Sequence, residues 1–189
     1  MKKLAVFDLD GTLFDTGEVN FLAYQRALRE VGYEVDKEYY IRCCNGYHYK
    51  RFLPNILKDV QEEKLTEMME MVHQRKKAYY KEYLYAVRVN VFLFDMIECF
   101  NSMYHIACVT TASRQNTEEI LEFTGKRQLF DLVLCQEDVI KKKPDPEGFL
   151  KAIEYFQVTP KNTIVFEDSD VGVEAAVASG ACVMKICKF

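Results

Sequence analysis

The sequence predicts an α/β protein: a Rossmann-like parallel sheet core with helices on both faces, carrying an inserted α-helical bundle cap. Three observations lead there. Short apolar runs that stop abruptly at acids or hydroxyls recur along the chain, as strands buried on both faces do. From residue 89 onward these runs alternate with helical periodicity, which implies right-handed strand–helix–strand crossovers. Between residues 18 and 85 the strand pattern is missing and only helical texture remains. That block reads as an insertion after the first strand. The expected division is a core of residues 1–16 and 89–189 and a cap of residues 17–88.

The elements follow in order. Residues 4–7 form an apolar run ending at Asp8, a buried strand. Val19, Leu22, Ala23 and Leu28 line one face of a helix that Gly32 stops. Asp36 is placed to cap a second helix, broken at Gly46. Residues 47–57 and 63–84 read as two more, enough for a small bundle. In the core, helices are expected over 92–103, 117–124, 147–156 and 171–179, the second and last closed by Gly125 and Gly180. Strands are expected over 106–109, 132–135, 164–166 and 182–186. Ligands of such sheets collect at the carboxyl ends of strands, where the strand order reverses.

Composition narrows the function classes. Of 189 residues, 49% are apolar and 29% charged, which excludes a disordered or fibrous chain. The net charge of −4 argues against a nucleic acid partner, whose binders usually carry a basic patch. Residues 17–88 hold 13 basic and 11 acidic side chains, so the acidity lies in the remainder. The cysteines at 43, 44, 99, 108, 135, 182 and 187 are odd in number and form no CxxC pair. They read as reduced core thiols, not as a disulfide framework or a zinc site. No run approaches the ~20 apolar residues of a membrane span, and the apolar run after Lys3 is too short for a signal peptide. A cytoplasmic protein is expected, with no membrane partner, as a monomer or weak dimer.

Chemistry gathers at the predicted strand tips. Asp8 and Asp10 flank Leu9 as the first strand ends, and period-two geometry aims both carboxylates the same way. Such a pair repels and calls for a cation nearby. Gly11 lets the chain turn sharply behind them. The strand 106–109 runs into Thr110-Thr111-Ala112-Ser113, either an anion site at a helix start or an ordinary hydroxyl helix cap. Lys141-Lys142-Lys143 precedes Pro144-Asp145-Pro146. The prolines keep Lys143 out of helix, so it is a fixed cation or part of a solvated loop. The strand 164–166 ends at Glu167-Asp168-Ser169-Asp170, hard oxygen ligands of the kind Mg²⁺ prefers, or again a helix cap.

The stretches DLDGTLFDT (8–16), VTTAS (109–113), KKPDPEGF (142–149) and VFEDSDVGVEAAVASG (165–180) together resemble the haloacid dehalogenase superfamily. The resemblance spans nearly the whole chain. It points to phosphatase-like members with a helical cap inserted after the first motif, akin to phosphoglycolate phosphatases and beta-phosphoglucomutases. It implies a phosphoric monoester hydrolase acting on a small phosphorylated metabolite with Mg²⁺ as cofactor. By the same resemblance Asp8 is the nucleophile and Asp10 the general acid/base. Thr110 holds the phosphate and Lys143 steadies the phosphoryl group. The metal falls to Asp8, Asp10 (through its carbonyl), Asp168 and Glu167, and the Thr111 backbone lies near the phosphate. Asn20, Tyr47, Lys50 and Arg51 are candidate substrate contacts in the cap.

Departures from the pattern discriminate among branches. Asp10, the second acid that dehalogenases lack, favours phosphoryl chemistry. Lys50 and Lys58 lack the context of a phosphonate-cleaving Schiff-base lysine. Mutases typically carry a His where Asn20 stands and an Arg where Tyr49 stands, which favours hydrolysis, although Lys50 or Arg51 could substitute. Gly172 occupies the place where some relatives carry a further acid. Val89-Asn90-Val91 replaces the usual Pro-Gly before the second core helix. A sugar-phosphate mutase and a catalytically silent phospho-ligand-binding module remain as alternatives.

Overall fold

The computed structural model describes residues 2–100 and 102–187. Strands β1 (Lys3–Phe7), β4 (Tyr104–Val109), β5 (Leu132–Leu134), β6 (Thr163–Glu167) and β7 (Cys182–Lys185) form a sheet in the order β5-β4-β1-β6-β7. Every neighbouring pair is parallel. The chain leaves central β1, builds outward on one side, then returns to build the other. The order therefore reverses at β1, and the crevice beyond the carboxyl ends of β1, β4 and β6 is the position such sheets use for ligands. The apolar run that predicted β1 is explained by burial on both faces: Leu4 to Phe7 are all fully buried. Leu4 and Val6 pack with Val109, Phe149, Val165 and Ala175 on one side. Phe7, one residue out of phase, stacks on Phe166 with ring centroids 4.5 Å apart on the other.

Helices α5 (Val91–Phe100), α6 (Arg114–Phe123), α7 (Glu147–Tyr155) and α8 (Asp170–Ala178) connect these strands. A short antiparallel pair, β2 (Phe14–Asp15) and β3 (Arg88–Val89), was not expected. Two-residue strands are too short to show periodicity. Their pairing is closed by the side chains as well, with Arg88 Nε donating to Asp15 Oδ2 at 3.0 Å.

The chain forms two compact units, Met1–Asp15 with Arg88–Phe189 and Thr16–Val87. The second contains α1 (Gly17–Arg29), α2 (Lys37–Cys43), α3 (Tyr49–Ile56) and α4 (Glu62–Tyr80). Its own core gathers Phe21, Tyr24, Leu28, Tyr40, Phe52, Leu53 and Val72. Asp36 does cap α2, accepting from the Tyr39 N–H at 2.9 Å. The single helix expected over 63–84 ends earlier, at Tyr80, and continues as a 3₁₀ segment, Lys81–Ala86. All seven cysteines are free, but only Cys44, Cys108 and Cys135 are buried, so the reading of the whole set as core thiols holds for three of them. Among the described residues no helix is long and apolar enough to cross a membrane.

Candidate active site

One ammonium group ties three strand tips together. Lys143 Nζ donates to Asp8 Oδ1 at 2.6 Å beyond β1, to Glu167 Oε2 at 2.6 Å on β6, and to the Val109 carbonyl at 3.2 Å on β4. The side chains of Lys143, Asp8 and Glu167 are 8%, 9% and 1% exposed, so these charges interact with little solvent screening. Burial works against the Lys143 ammonium, yet the flanking Asp8 and Glu167 carboxylates outweigh it and hold its pKa above the ordinary lysine range. Burial pushes the Asp8 carboxyl well above its usual range. Lys143 opposes that shift, while the charges of Glu167 and Asp10 add to it. The other oxygen of Glu167 accepts from the Ser169 N–H at 3.0 Å and the Ser169 hydroxyl at 2.8 Å. Ser169 in turn caps α8 by accepting from the Gly172 N–H.

Asp168 is set by the loop that follows Asp8. Thr12, fully buried, donates its hydroxyl to Asp168 Oδ1 at 3.1 Å. Gly11 has φ +92°, and a Cβ there would stand 2.3 Å from Asp168 Oδ2. Glycine is thus required twice over, by the turn and by the carboxylate against it. Burial raises the Asp168 pKa, helped by the charge of Glu167, while the Thr12 hydroxyl lowers it. Gly172 does for Glu167 what Gly11 does for Asp168: a Cβ at 172 would fall 2.0 Å from the Glu167 carboxyl carbon. An acid at this position has no room beside Glu167 as it stands.

Asp8, Glu167 and Asp168 offer carboxylate oxygens that all lie within 4.8 Å of one another. Lys143 is bonded to two of the three, Asp8 and Glu167, so negative charge is in excess in a largely buried place. Hard oxygen donors with surplus negative charge fit a divalent cation of the Mg²⁺ kind.

The other predicted residues fall as follows. Asp10 is half-buried in the turn, close enough for its charge to act on Asp8, and its backbone bridges Phe14. Its carboxylate is not part of the close trio. Thr110 is buried, its N–H bonded to the Leu134 carbonyl and its hydroxyl accepting from the Ala112 N–H at 3.0 Å. Thr111 is exposed, and both threonines line a cleft with Lys143, Cys135 and Asp145. The cap of α6 is Ser113, which accepts from the Asn116 N–H, so Thr110 is not spent on capping. Asn20, Tyr47, Lys50 and Arg51 belong to the helical unit. Asn20 donates to Thr16 Oγ1 at 3.1 Å, the Arg51 guanidinium covers the Tyr47 ring at 3.9 Å, and Lys50 is exposed. Tyr49 is part of that unit's interior: buried, stacked on His73 and donating to Glu70 at 2.6 Å. Sequence reasoning missed Thr12, two residues after Asp10, whose role only its contact with Asp168 gives. It weighed Ser169 as a helix cap, which it is, but not as a partner of Glu167.

The profile of the haloacid dehalogenase-like hydrolases matches residues 5–186. A phosphorylated carbohydrates phosphatase from Thermotoga maritima is 30% identical over 93% of this chain and 80% of its own length. A phosphoglycolate phosphatase from Thiobacillus denitrificans is 30% identical, covering 94% of this chain and 80% of its own. A crystal structure of a candidate beta-phosphoglucomutase from Thermotoga maritima, 28% identical, superposes with a TM-score of 0.80, covering 100% of this chain and 87% of that one. Strand-tip geometry, motif content and near full-length similarity agree: this chain belongs to the haloacid dehalogenase-like hydrolase family.

Proposed function

We propose that the protein is a Mg²⁺-dependent phosphatase of small phosphorylated metabolites, of the sugar-phosphate or phosphoglycolate type, working through an aspartyl-phosphate. The observation that carries this is the position of Asp8, a buried carboxylate at the switch point of the sheet with Lys143 2.6 Å away. Family membership and the phosphatases among its relatives make it a phosphoric monoester hydrolase. The relatives named for phosphorylated carbohydrates and phosphoglycolate support the substrate class.

Asp8 attacks phosphorus, forming the new carboxylate O–P bond as the bond to the leaving oxygen breaks. Asp10 gives that oxygen its proton. It then removes a proton from the water that cleaves the aspartyl-phosphate, which restores Asp8 and releases phosphate. Lys143 and the Thr110 hydroxyl stabilise the equatorial phosphoryl oxygens. The Thr111 backbone N–H adds a donor beside them. Asp8, Asp168 and the Asp10 carbonyl would hold the cation, with Glu167 in support through Lys143. Bound there, Mg²⁺ supplies positive charge that offsets the repulsion between an anionic nucleophile and an anionic substrate.

The test is release of free phosphate from p-nitrophenyl phosphate and a panel of sugar phosphates and phosphoglycolate, with and without chelator. Turnover should require divalent metal. Asp8→Asn should reduce it by at least ~10³-fold, the scale of a lost chemical step. A metal-dependent rate close to the parent's in Asp8→Asn would exclude the nucleophile assignment. The structural likeness to a candidate beta-phosphoglucomutase supports a second reading, a sugar-phosphate mutase. Isomerisation of a hexose phosphate without net phosphate release would select it.

A further inference from the structure

Asn90 is a buried polar side chain, 5% exposed, that the proposed chemistry does not use. It stands two residues after the chain re-enters the α/β unit. Its side chain bonds in two directions. Oδ1 accepts from the Leu93 N–H at 3.3 Å, as a side chain capping α5 does. Nδ2 donates to the carbonyl of Thr12 at 3.0 Å, across 78 residues of sequence. Its backbone N–H donates to the Leu13 carbonyl at 2.9 Å, so the same residue grips the loop twice. The hydroxyl of Thr12 reaches Asp168 Oδ1, and Gly11 lies against Asp168 Oδ2. The loop 11–13 therefore bounds the Asp168 carboxylate on one side, and Asn90 bounds the loop.

We propose that Asn90 is a positioning residue for the metal site: by holding the Thr12 carbonyl from the start of α5, it fixes Thr12 and through it the carboxylate of Asp168. The inference rests on Asp168 being a metal ligand, as proposed above. A capping residue alone needs only an acceptor, and Ser, Thr or Asp would serve. Asparagine adds an N–H₂ donor that an Asp carboxylate lacks and that reaches further than a Ser or Thr hydroxyl, and here that donor meets the loop. Outer-shell partners that orient a ligand commonly alter metal affinity when removed.

The experiment measures Mn²⁺ binding to the resting protein by electron paramagnetic resonance of the free ion, alongside thermal melting. Asn90→Ser keeps a cap for Leu93 but is too short to serve Thr12 as well. Asn90→Asp keeps the size and the cap but turns an acceptor toward the Thr12 carbonyl. Thr12→Val removes the hydroxyl at constant shape. Thr12→Val should weaken Mn²⁺ binding about tenfold, within the usual range for an outer-shell partner. Asn90→Ser should weaken it about threefold and Asn90→Asp more. The double variant Asn90→Ser/Thr12→Val should be no weaker than Thr12→Val, because both act along one path. A purely structural role would lower the melting temperature and leave Mn²⁺ affinity untouched. Parent-like affinity in both Asn90 variants, with Asp168→Asn weakened, would overturn the positioning role alone. Undiminished affinity in Asp168→Asn would overturn it together with the metal assignment of Asp168.

Discussion

Gly172 shows how a single residue can reverse a general rule. Replacing a helical glycine by alanine ordinarily stabilises by roughly 0.5–1 kcal/mol, because the unfolded chain loses freedom. Gly172 sits in α8, and its φ is not positive, so that gain should apply. The Glu167 carboxyl occupies the space where the new Cβ would go, 2.0 Å from its carboxyl carbon. Glu167 must therefore turn away, losing the bonds to Ser169 and to Lys143 that hold it. Gly172→Ala is expected to destabilise by about 1–3 kcal/mol, the scale of core overpacking. It should also lower turnover at least about tenfold, because Lys143 loses one of the two carboxylates that fix it. Urea denaturation and p-nitrophenyl phosphate kinetics on one preparation check both. Glu167 itself was legible in the sequence as an acid at a strand end. Its partner Lys143, and the glycine that makes room for it, were not connected to it by any local pattern.

At the scale of elements, the helical unit carries its own ionisable interior. Tyr24 on α1 lies 2.9 Å from His73 Nδ1 on α4, and Tyr49 on α3 stacks on the same imidazole at 4.0 Å. Burial lowers the His73 pKa to about 4, with the charges of Lys76 and Lys77 adding to the effect. The folded state thus holds the ring neutral, with Nδ1 in hydrogen-bond reach of the Tyr24 hydroxyl. Unfolded, the same ring takes up a proton near pH 6.5. Stability from this group is full above about pH 6.5 and is lost as pH falls toward 4, with a slope of at most about 1.4 kcal/mol per pH unit. His73→Phe keeps the stacking and removes the proton. Its stability should fall less steeply between pH 6.5 and 4 than the parent's, in urea denaturation followed by circular dichroism. Equal slopes would show that His73 does not titrate differently on folding. Asp8 and Asp168, with raised pKa values, act in the opposite sense and are common to both proteins.

For the whole molecule, excess carboxylate charge at the strand tips is a cost that a bound cation relieves. Any ligand that binds only the folded state stabilises it, by about 2.7 kcal/mol at a hundredfold excess over its Kd. For a chain of this size that corresponds to a rise in melting temperature on the order of 5–10 °C. Mg²⁺ should produce such a rise in differential scanning fluorimetry and chelator should reverse it. Asp168→Asn should show a smaller response. A melting temperature that ignores Mg²⁺ up to millimolar concentrations would remove the metal from the account.

The alternation of buried runs and amphipathic segments belongs to the sequence itself, because strands buried on both faces must be apolar throughout and helices on a sheet need one apolar stripe. It set the α/β class, the inserted helical block and the residues that close each strand, including Asp8, Thr110 and Glu167. It did not reveal β2 and β3, whose two-residue pairing leaves no period to detect. Nor did it reveal the contacts among strand ends. Local pattern carries no information about the non-sequential order β5-β4-β1-β6-β7, which alone brings Lys143 within 2.6 Å of a carboxylate 135 residues away. Neighbourhood in a parallel sheet is decided by crossover packing, and only the folded chain shows that Thr12, Asn90 and Gly172 stand behind the acids that the sequence made visible.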